Sequence, residues 1–163
     1  APLYGDDGSI VGLIGISRDV TEKKLAQERL EHLASHDYLT DLPNRGFFIE
    51  SAKFAFNTAM REKCQWLIFY LDIDNFKQIN DQYGHEVGDK VLVELATLLR
   101  VTFAKGYVFR VGGEEFSLMS NFGSPQAALA MAEKLRLAIQ NKHIIANGET
   151  IKLTASIGVV QYQ

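Results

Sequence analysis

Residues 111–116, Val111-Gly112-Gly113-Glu114-Glu115-Phe116, set two glycines directly before two carboxylates and an aromatic ring. Glycines let a backbone approach a bulky anion, and adjacent carboxylates repel unless a cation or a proton lies between them, which points to a metal-assisted phosphate site. Upstream, the apolar run Trp66-Leu67-Ile68-Phe69-Tyr70-Leu71 ends in Asp72-Ile73-Asp74-Asn75-Phe76-Lys77. A carboxylate that closes a buried strand sits where a sheet edge meets solvent, the usual place for ligands in α/β proteins. If the glycine hairpin pairs beside this strand, Asp72 converges with Glu114 and Glu115. Three hard oxygen ligands suit Mg²⁺ or Mn²⁺, with water and substrate phosphate oxygens in the remaining positions. Successive strand side chains point to opposite faces, so both glutamates face Asp72 only if the turn twists the backbone. Glu115 is therefore the firmer ligand, and Glu114 a ligand or proton acceptor. A solvated strand end or a helix cap is the competing reading of Asp72.

Asp74-Asn75-Phe76-Lys77 reads as a helix start with Asp74 as the cap, its following amides open to phosphate. Lys77 adds a positive charge there. Farther on, Asn80 and Asp89 flank the loop 81–88, and an amide with a carboxylate can match a guanine edge, although both are also common turn formers. His36 and His85 are acid–base candidates for which structural roles are the commoner outcome. Arg110, just before the glycines, either orients the hairpin or meets a carboxylate. No Gly-x-Ser-x-Gly, P-loop or Cys-His pattern occurs, which disfavours serine or cysteine hydrolases and P-loop ATPases.

The elements that must carry these groups are legible from periodicity and punctuation. Residues 1–20 read as a hairpin about the Gly5-Asp6-Asp7-Gly8 turn, and residues 21–35 as a helix capped by Asp19 or Thr21. In that helix Ala26, Leu30 and Leu33 follow at coiled-coil spacing, either as a dimer seam or as the apolar face of a helix lying on its own domain. Asn44 caps a helix running to about residue 62, and a buried strand follows at 66–72. Helices are expected near 75–83 and 87–103, then a β-hairpin of 107–111 and 116–120 around the glycines. Ser124-Pro125 opens a helix to about residue 141, and Asn147-Gly148 turns into a final strand, 151–161. Strands and helices in this order fit a layered α/β or α+β fold with helices outside the sheet.

The 163 residues suffice for one domain with a real core and a short appendage, and 47% hydrophobic with 23% charged residues is ordinary for a globular protein. A net charge of -3 argues against a nucleic-acid partner, because such domains carry a basic face. Cys64 is the only cysteine, which excludes an internal disulfide and suits a cytoplasmic compartment. The apolar runs fall far short of a membrane span, so no direct membrane contact is expected of this segment, whether or not a parent protein is membrane-anchored. The chain starts at Ala1 with no signal-peptide pattern, which reads as a piece of a longer protein.

With these residues in view, the chain resembles the GGDEF family of diguanylate cyclases. Gly112-Gly113-Glu114-Glu115-Phe116 matches the signature in its Glu variant, and Asp37-Tyr38-Leu39-Thr40-Asp41-Leu42-Pro43-Asn44-Arg45 matches the family's opening block. Residues 72–81 and 84–89 match its two central blocks. The resemblance implies a mainly antiparallel, cyclase- and polymerase-palm-like sheet flanked by helices over residues 36–163. It implies condensation of two GTP molecules into cyclic di-GMP with release of two pyrophosphates, by two domains meeting face to face. Asp72, Glu115 and the Ile73 carbonyl would hold Mg²⁺, joined by Glu114, which would also activate the ribose 3′-hydroxyl. Gly112 and Gly113 would admit the triphosphate, Phe76 and Lys77 would join the substrate site, and Asn80 and Asp89 would recognise guanine. Residues 1–20 resemble the end of a PAS sensor domain, with 21–35 as the signalling helix of a homodimer. A non-catalytic GTP-binding module of a larger sensor or phosphodiesterase is the alternative. Two departures stand out. Phe103-Ala104-Lys105-Gly106 replaces the Arg-x-x-Asp product site of many relatives, and the chain stops at Gln163, before the family's last helix, so the domain is expected to be C-terminally truncated.

Overall fold

The strand at the centre of the sheet alternates strictly. In β3 (Trp66–Ile73), Leu67, Phe69, Leu71 and Ile73 are buried, while Trp66, Ile68, Tyr70 and Asp72 face the other way. A strand patterned in this way needs cover on one face and partners on both edges, and it has them. The computed structural model describes residues 2–13, 21–62, 64–121 and 124–162. Its contacts divide the chain into two units, one ending at Ala34 and the other beginning at Ser35.

The larger unit is a four-stranded antiparallel sheet in the order β4-β5-β3-β8, where β4 is Tyr107–Arg110, β5 Glu115–Ser120 and β8 Ala155–Tyr162. One face of the sheet is sealed by α4 (His85–Thr102) through Val91, Leu95 and Leu99, and by α5 (Pro125–Gln140) through Ala128, Leu135 and Ile139. Each such Leu or Ile contributes about 1.5–3 kcal/mol by leaving water. The other face is covered in part by α2 (Arg45–Glu62), whose Phe48, Ala52 and Ala55 pack on Ile68, Trp66, Phe109 and Met119. That cover thins at Tyr70, whose ring meets Phe48 edge-on at 6.1 Å yet stays 48% exposed, and the same face runs on to Asp72. α3 (Phe76–Tyr83) meets α4 at Gly84, whose φ of 87° is left-handed backbone that favours glycine.

Most predicted elements are present with their predicted punctuation. Asn44 Oδ1 accepts from the Phe47 N–H at 3.1 Å at the start of α2, and Ser124 Oγ accepts from Ala127 N–H at 3.2 Å at the start of α5. Two expectations need correction. The final strand is two strands: β7 (Glu149–Lys152) pairs with β6 (His143–Ala146), and only β8 joins the main sheet. Ile151, Leu153 and Ala155 are all buried, so the alternation runs through the break and hides it. Asp74 is not the cap of α3. Asn75 holds that position with φ 57° and no capping side-chain bond, while Asp74 accepts from Ser156 Oγ at 2.7 Å and ties β3 to β8.

The smaller unit holds the hairpin β1 (Pro2–Tyr4) and β2 (Ile10–Leu13), whose turn is closed by Asp7 Oδ1 accepting from Ser9 N–H and Oγ. The predicted continuation of this strand beyond Leu13, and the cap Asp19, lie outside the described residues. α1 (Thr21–Ser35) has no buried residue, and Leu25, Leu30 and Leu33 are exposed along it. No helix among the described residues is long and apolar enough to cross a membrane.

Of the stretch in place of Arg-x-x-Asp, Phe103 belongs to the core, while Ala104 and Lys105 are exposed. Phe103 is 1% exposed and meets Phe69 edge-on, with ring centroids 5.4 Å apart. A Cβ on Gly106 would lie 2.2 Å from the Phe103 ring and 2.6 Å from the Met119 carbonyl oxygen. Gly106→Ala is therefore expected to destabilise the fold by about 1–3 kcal/mol through overpacking, measured by urea unfolding.

Candidate functional site

β3 and β5 pair in a register that sets Asp72 directly opposite Glu115. Both residues are exposed, and Asp72 faces Ser156 of β8 on its other side. The ladder continues one step past the strand, where the Ile73 N–H donates to the Glu114 carbonyl at 3.4 Å. Glu115 thus belongs to the strand and Glu114 to the turn, as the alternation argument requires. The Glu115 carboxylate folds back over Gly112: a Cβ there would lie 2.1 Å from its Oε2. The turn is closed by Val111 N–H and Gly112 N–H, both donating to the Glu115 carbonyl at 3.0 and 3.3 Å.

Among the described residues no three acidic, imidazole or thiol groups gather closely enough to enclose a metal ion. What the register brings together is one carboxylate pair, Asp72 and Glu115, next to the Ile73 backbone. Two carboxylates with open positions are a fitting donor set for Mg²⁺, which keeps several waters and takes substrate phosphate oxygens in preference to a full protein cage. Glu114 is half-buried beside them in the turn.

A second cluster lies where α3 meets α4. Asn80 lies against the backbone of Gly88, for a Cβ there would stand 1.9 Å from Asn80 Oδ1 and 3.3 Å from the Phe76 ring. Gly88 is buried and Asp89, next along α4, is exposed. The absent side chain at 88 is thus what lets the amide of Asn80 lie beside the turn that carries Asp89. Phe76 is buried, so its ring supports this arrangement from beneath, whereas Lys77 is exposed. His85 is exposed at the start of α4, and His36 stacks on Phe47 with its Nδ1 at 2.9 Å from Ser35 Oγ.

Both sequence readings of Arg110 hold together. It pairs with Asp37 at 2.8 Å and also donates to the Gly113 carbonyl at 2.8 Å. Burial alone pushes the Asp37 carboxyl up, but hydrogen bonds from Thr40 and Arg110 and the charge of Arg110 outweigh it and hold the group below its ordinary value. Asp37 and Gly88 are the residues that sequence reasoning passed over as parts of the site. An Asp three residues before a Thr was a readable turn signal, while nothing local marks Gly88 as a spacer for Asn80.

Sheet order, flanking helices and the turn between β4 and β5 place the fold among the palm-like cyclase domains. The chain belongs to the GGDEF family: the model of the diguanylate cyclase GGDEF domain matches residues 34–163. Among curated relatives, a diguanylate cyclase of Vibrio cholerae is 36% identical over 161 residues, covering 98% of this chain and 50% of its own length. DgcM, a diguanylate cyclase of Escherichia coli, is 36% identical over 162 residues, with 99% and 38% covered. Among solved structures, the coiled coil and GGDEF domain of DgcB from Caulobacter crescentus, in complex with c-di-GMP, aligns with a TM-score of 0.81 at 25% identity. It covers 89% of this chain and 78% of that one. Diguanylate cyclase SiaD of Pseudomonas aeruginosa, in complex with its activator SiaC, aligns with a TM-score of 0.77 at 31% identity, covering 87% and 55%. The chain spans half or less of the length of these two curated relatives.

Two outcomes follow from the geometry. Gly112→Ala forces the Glu115 carboxylate to move without deleting a donor, and is expected to weaken Mn²⁺ binding by roughly 10–100-fold, as loss of ligand support does; a Mn²⁺ titration followed by calorimetry measures it. Because the Asp37 pKa is depressed in the folded state, its ion pair stabilises the protein above the ordinary carboxylate range and is lost as pH falls through the folded value. Asp37→Asn should accordingly flatten the acid limb of the stability–pH curve, read from melting temperatures across a pH series.

Proposed function

We propose that this chain is one half-site of a diguanylate cyclase, binding one GTP and joining it to a second GTP held by a facing copy. The observation that carries this reading is the register that sets Asp72 opposite Glu115 at the mouth of the double-glycine turn. In it, Asn80 and Asp89 read the guanine, and Gly112 and Gly113 leave room for the triphosphate. Lys77 adds charge at the start of α3, with Phe76 packed behind it. Asp72, Glu115 and the Ile73 carbonyl, with Glu114 beside them, are the groups that would hold Mg²⁺. When bound, the ion supplies neutralisation of charge developing on the transferring phosphoryl group.

The reaction balances as two identical transfers. A ribose 3′-hydroxyl of one GTP attacks the α-phosphorus of the other, a P–O ester bond forms, the α–β anhydride breaks and pyrophosphate leaves. Glu114 receives the hydroxyl proton, a task that suits a carboxylate in the turn beside, and not within, the ligand pair. The exposure of Asp72, Gly113 and Glu115 supports a half-site, because an open surface excludes water only when a second one closes on it. Ala26, Leu30 and Leu33, exposed along α1 at four-three spacing, supply an apolar stripe for pairing with a second copy. Residues 1–20 are read as the end of a PAS sensor domain, residues 21–35 as its signalling helix and residues 36–163 as the cyclase domain.

Incubating the full-length protein with GTP and Mg²⁺, and separating the nucleotides by chromatography, should yield cyclic di-GMP and pyrophosphate. Asp72→Asn, Glu114→Gln and Glu115→Gln should each lower turnover by about 10²–10³-fold or more, the scale seen when a charge-stabilising group is lost. GTP binding without product from a dimer would replace this reading with that of a regulatory GTP-binding module. With Phe103 in the core and no side chain at Gly106, added cyclic di-GMP is expected to leave the initial rate unchanged, and non-competitive inhibition mapped to residues 103–106 would contradict that.

A further inference from the structure

Arg110 ends β4, and its guanidinium is divided between two partners. Nη1 donates to Asp37 Oδ1 and Nη2 to the Gly113 carbonyl, each at 2.8 Å. Nε is buried and has no partner among the described residues, so the group is held by its two outer nitrogens alone. The ion pair is well shielded, with side-chain exposures of 11% for Arg110 and 17% for Asp37.

Asp37 is in turn fixed from several sides. Its Oδ1 accepts from Thr40 N–H and Thr40 Oγ1 at 2.8 and 2.7 Å. Its own N–H donates to the Leu42 carbonyl, and its carbonyl accepts from Asp41 N–H. The same loop is bound to β4 by Arg110 N–H donating to the Pro43 carbonyl at 3.0 Å, and Asn44 N–H donates to the Ser35 carbonyl at 2.8 Å. One end of the Arg110 bridge is therefore rigid. The other end has open space around it: a Cβ on Gly113 would meet nothing within 4 Å.

The Gly113 carbonyl belongs to the peptide whose nitrogen is that of Glu114. Holding its oxygen fixes the plane of that peptide, and with it the direction in which Glu114 leaves the turn. We propose that Arg110, locked by Asp37, is a positioning residue that sets the Gly113–Glu114 peptide and so aims Glu114 beside the Asp72–Glu115 pair. The inference rests on the cyclase reading above. It also makes the geometry of the turn depend on residues 35–37, through two charge-assisted hydrogen bonds. Arginine is required for this because its planar fork reaches two acceptors at once, whereas a lysine ammonium is a point charge.

The test uses the full-length protein and the variants Arg110→Lys, Arg110→Met, Asp37→Asn and the double variant Asp37→Asn with Arg110→Met. Arg110→Lys keeps a cation for Asp37 and loses the second arm. It is expected to melt close to the parent, to exchange amide hydrogens faster in peptides covering residues 111–116 and not in α4, and to lower kcat by roughly 10–10²-fold with KM for GTP changed far less. The double variant should be no worse in kcat than Arg110→Met, because residues acting through one bridge are not additive. Unchanged exchange at the turn together with unchanged kcat in Arg110→Lys would overturn the proposal, as would single-variant effects on kcat that simply add. If the parent protein turns over no GTP, the cyclase reading fails by itself, and the exchange measurement still decides whether Arg110 holds the turn.

Discussion

The register between β3 and β5 is the constraint on which the rest of this structure depends. Because side chains alternate along a strand, a slip of one residue would turn Leu67, Phe69, Leu71 and Ile73 out of the core and Asp72 into it. The burial of that apolar face against α4 and α5 therefore selects the alignment that sets Asp72 across from Glu115. A hydrophobic requirement, non-directional in itself, becomes a placement of charges accurate to one residue.

The glycines act on this frame by leaving space, not by flexing. Gly112 lets the Glu115 carboxylate fold back over the turn, and Gly88 lets Asn80 lie against α4 beside Asp89. Gly106 shows the same device used for stability, where the Phe103 ring and the Met119 carbonyl close on it. The two candidate clusters are consequently built on the ends of β3, α3 and α4, which share one buried core, and their mutual geometry follows from that core.

Much of the fold was legible because its signals are local. Asn44 and Ser124 announce the starts of α2 and α5 by residue type and then accept the expected N–H groups. The Asn147-Gly148 turn follows from two residues that tolerate the positive φ they adopt, and the β4–β5 hairpin from the double glycine between two apolar runs. The misses share a cause: strand pairing is non-local. β6 was not anticipated, and β7 was merged with β8, because apolar alternation through Ile151, Leu153 and Ala155 is the same whether one sheet or two receive it. Asp74 has the right type for a cap, yet its acceptor capacity is taken by Ser156, which lies 82 residues away in sequence.

By itself the sequence determined the family and most of the elements, and it singled out candidate groups for a nucleotide site, since those reside in residue type and short-range spacing. Which carboxylate stands opposite Asp72, and which stays in the turn, was decided by cross-strand register. That Asp37 holds Arg110 was decided by the approach of residues 73 positions apart. Such contacts depend on how the core closes, and no window of sequence contains both partners.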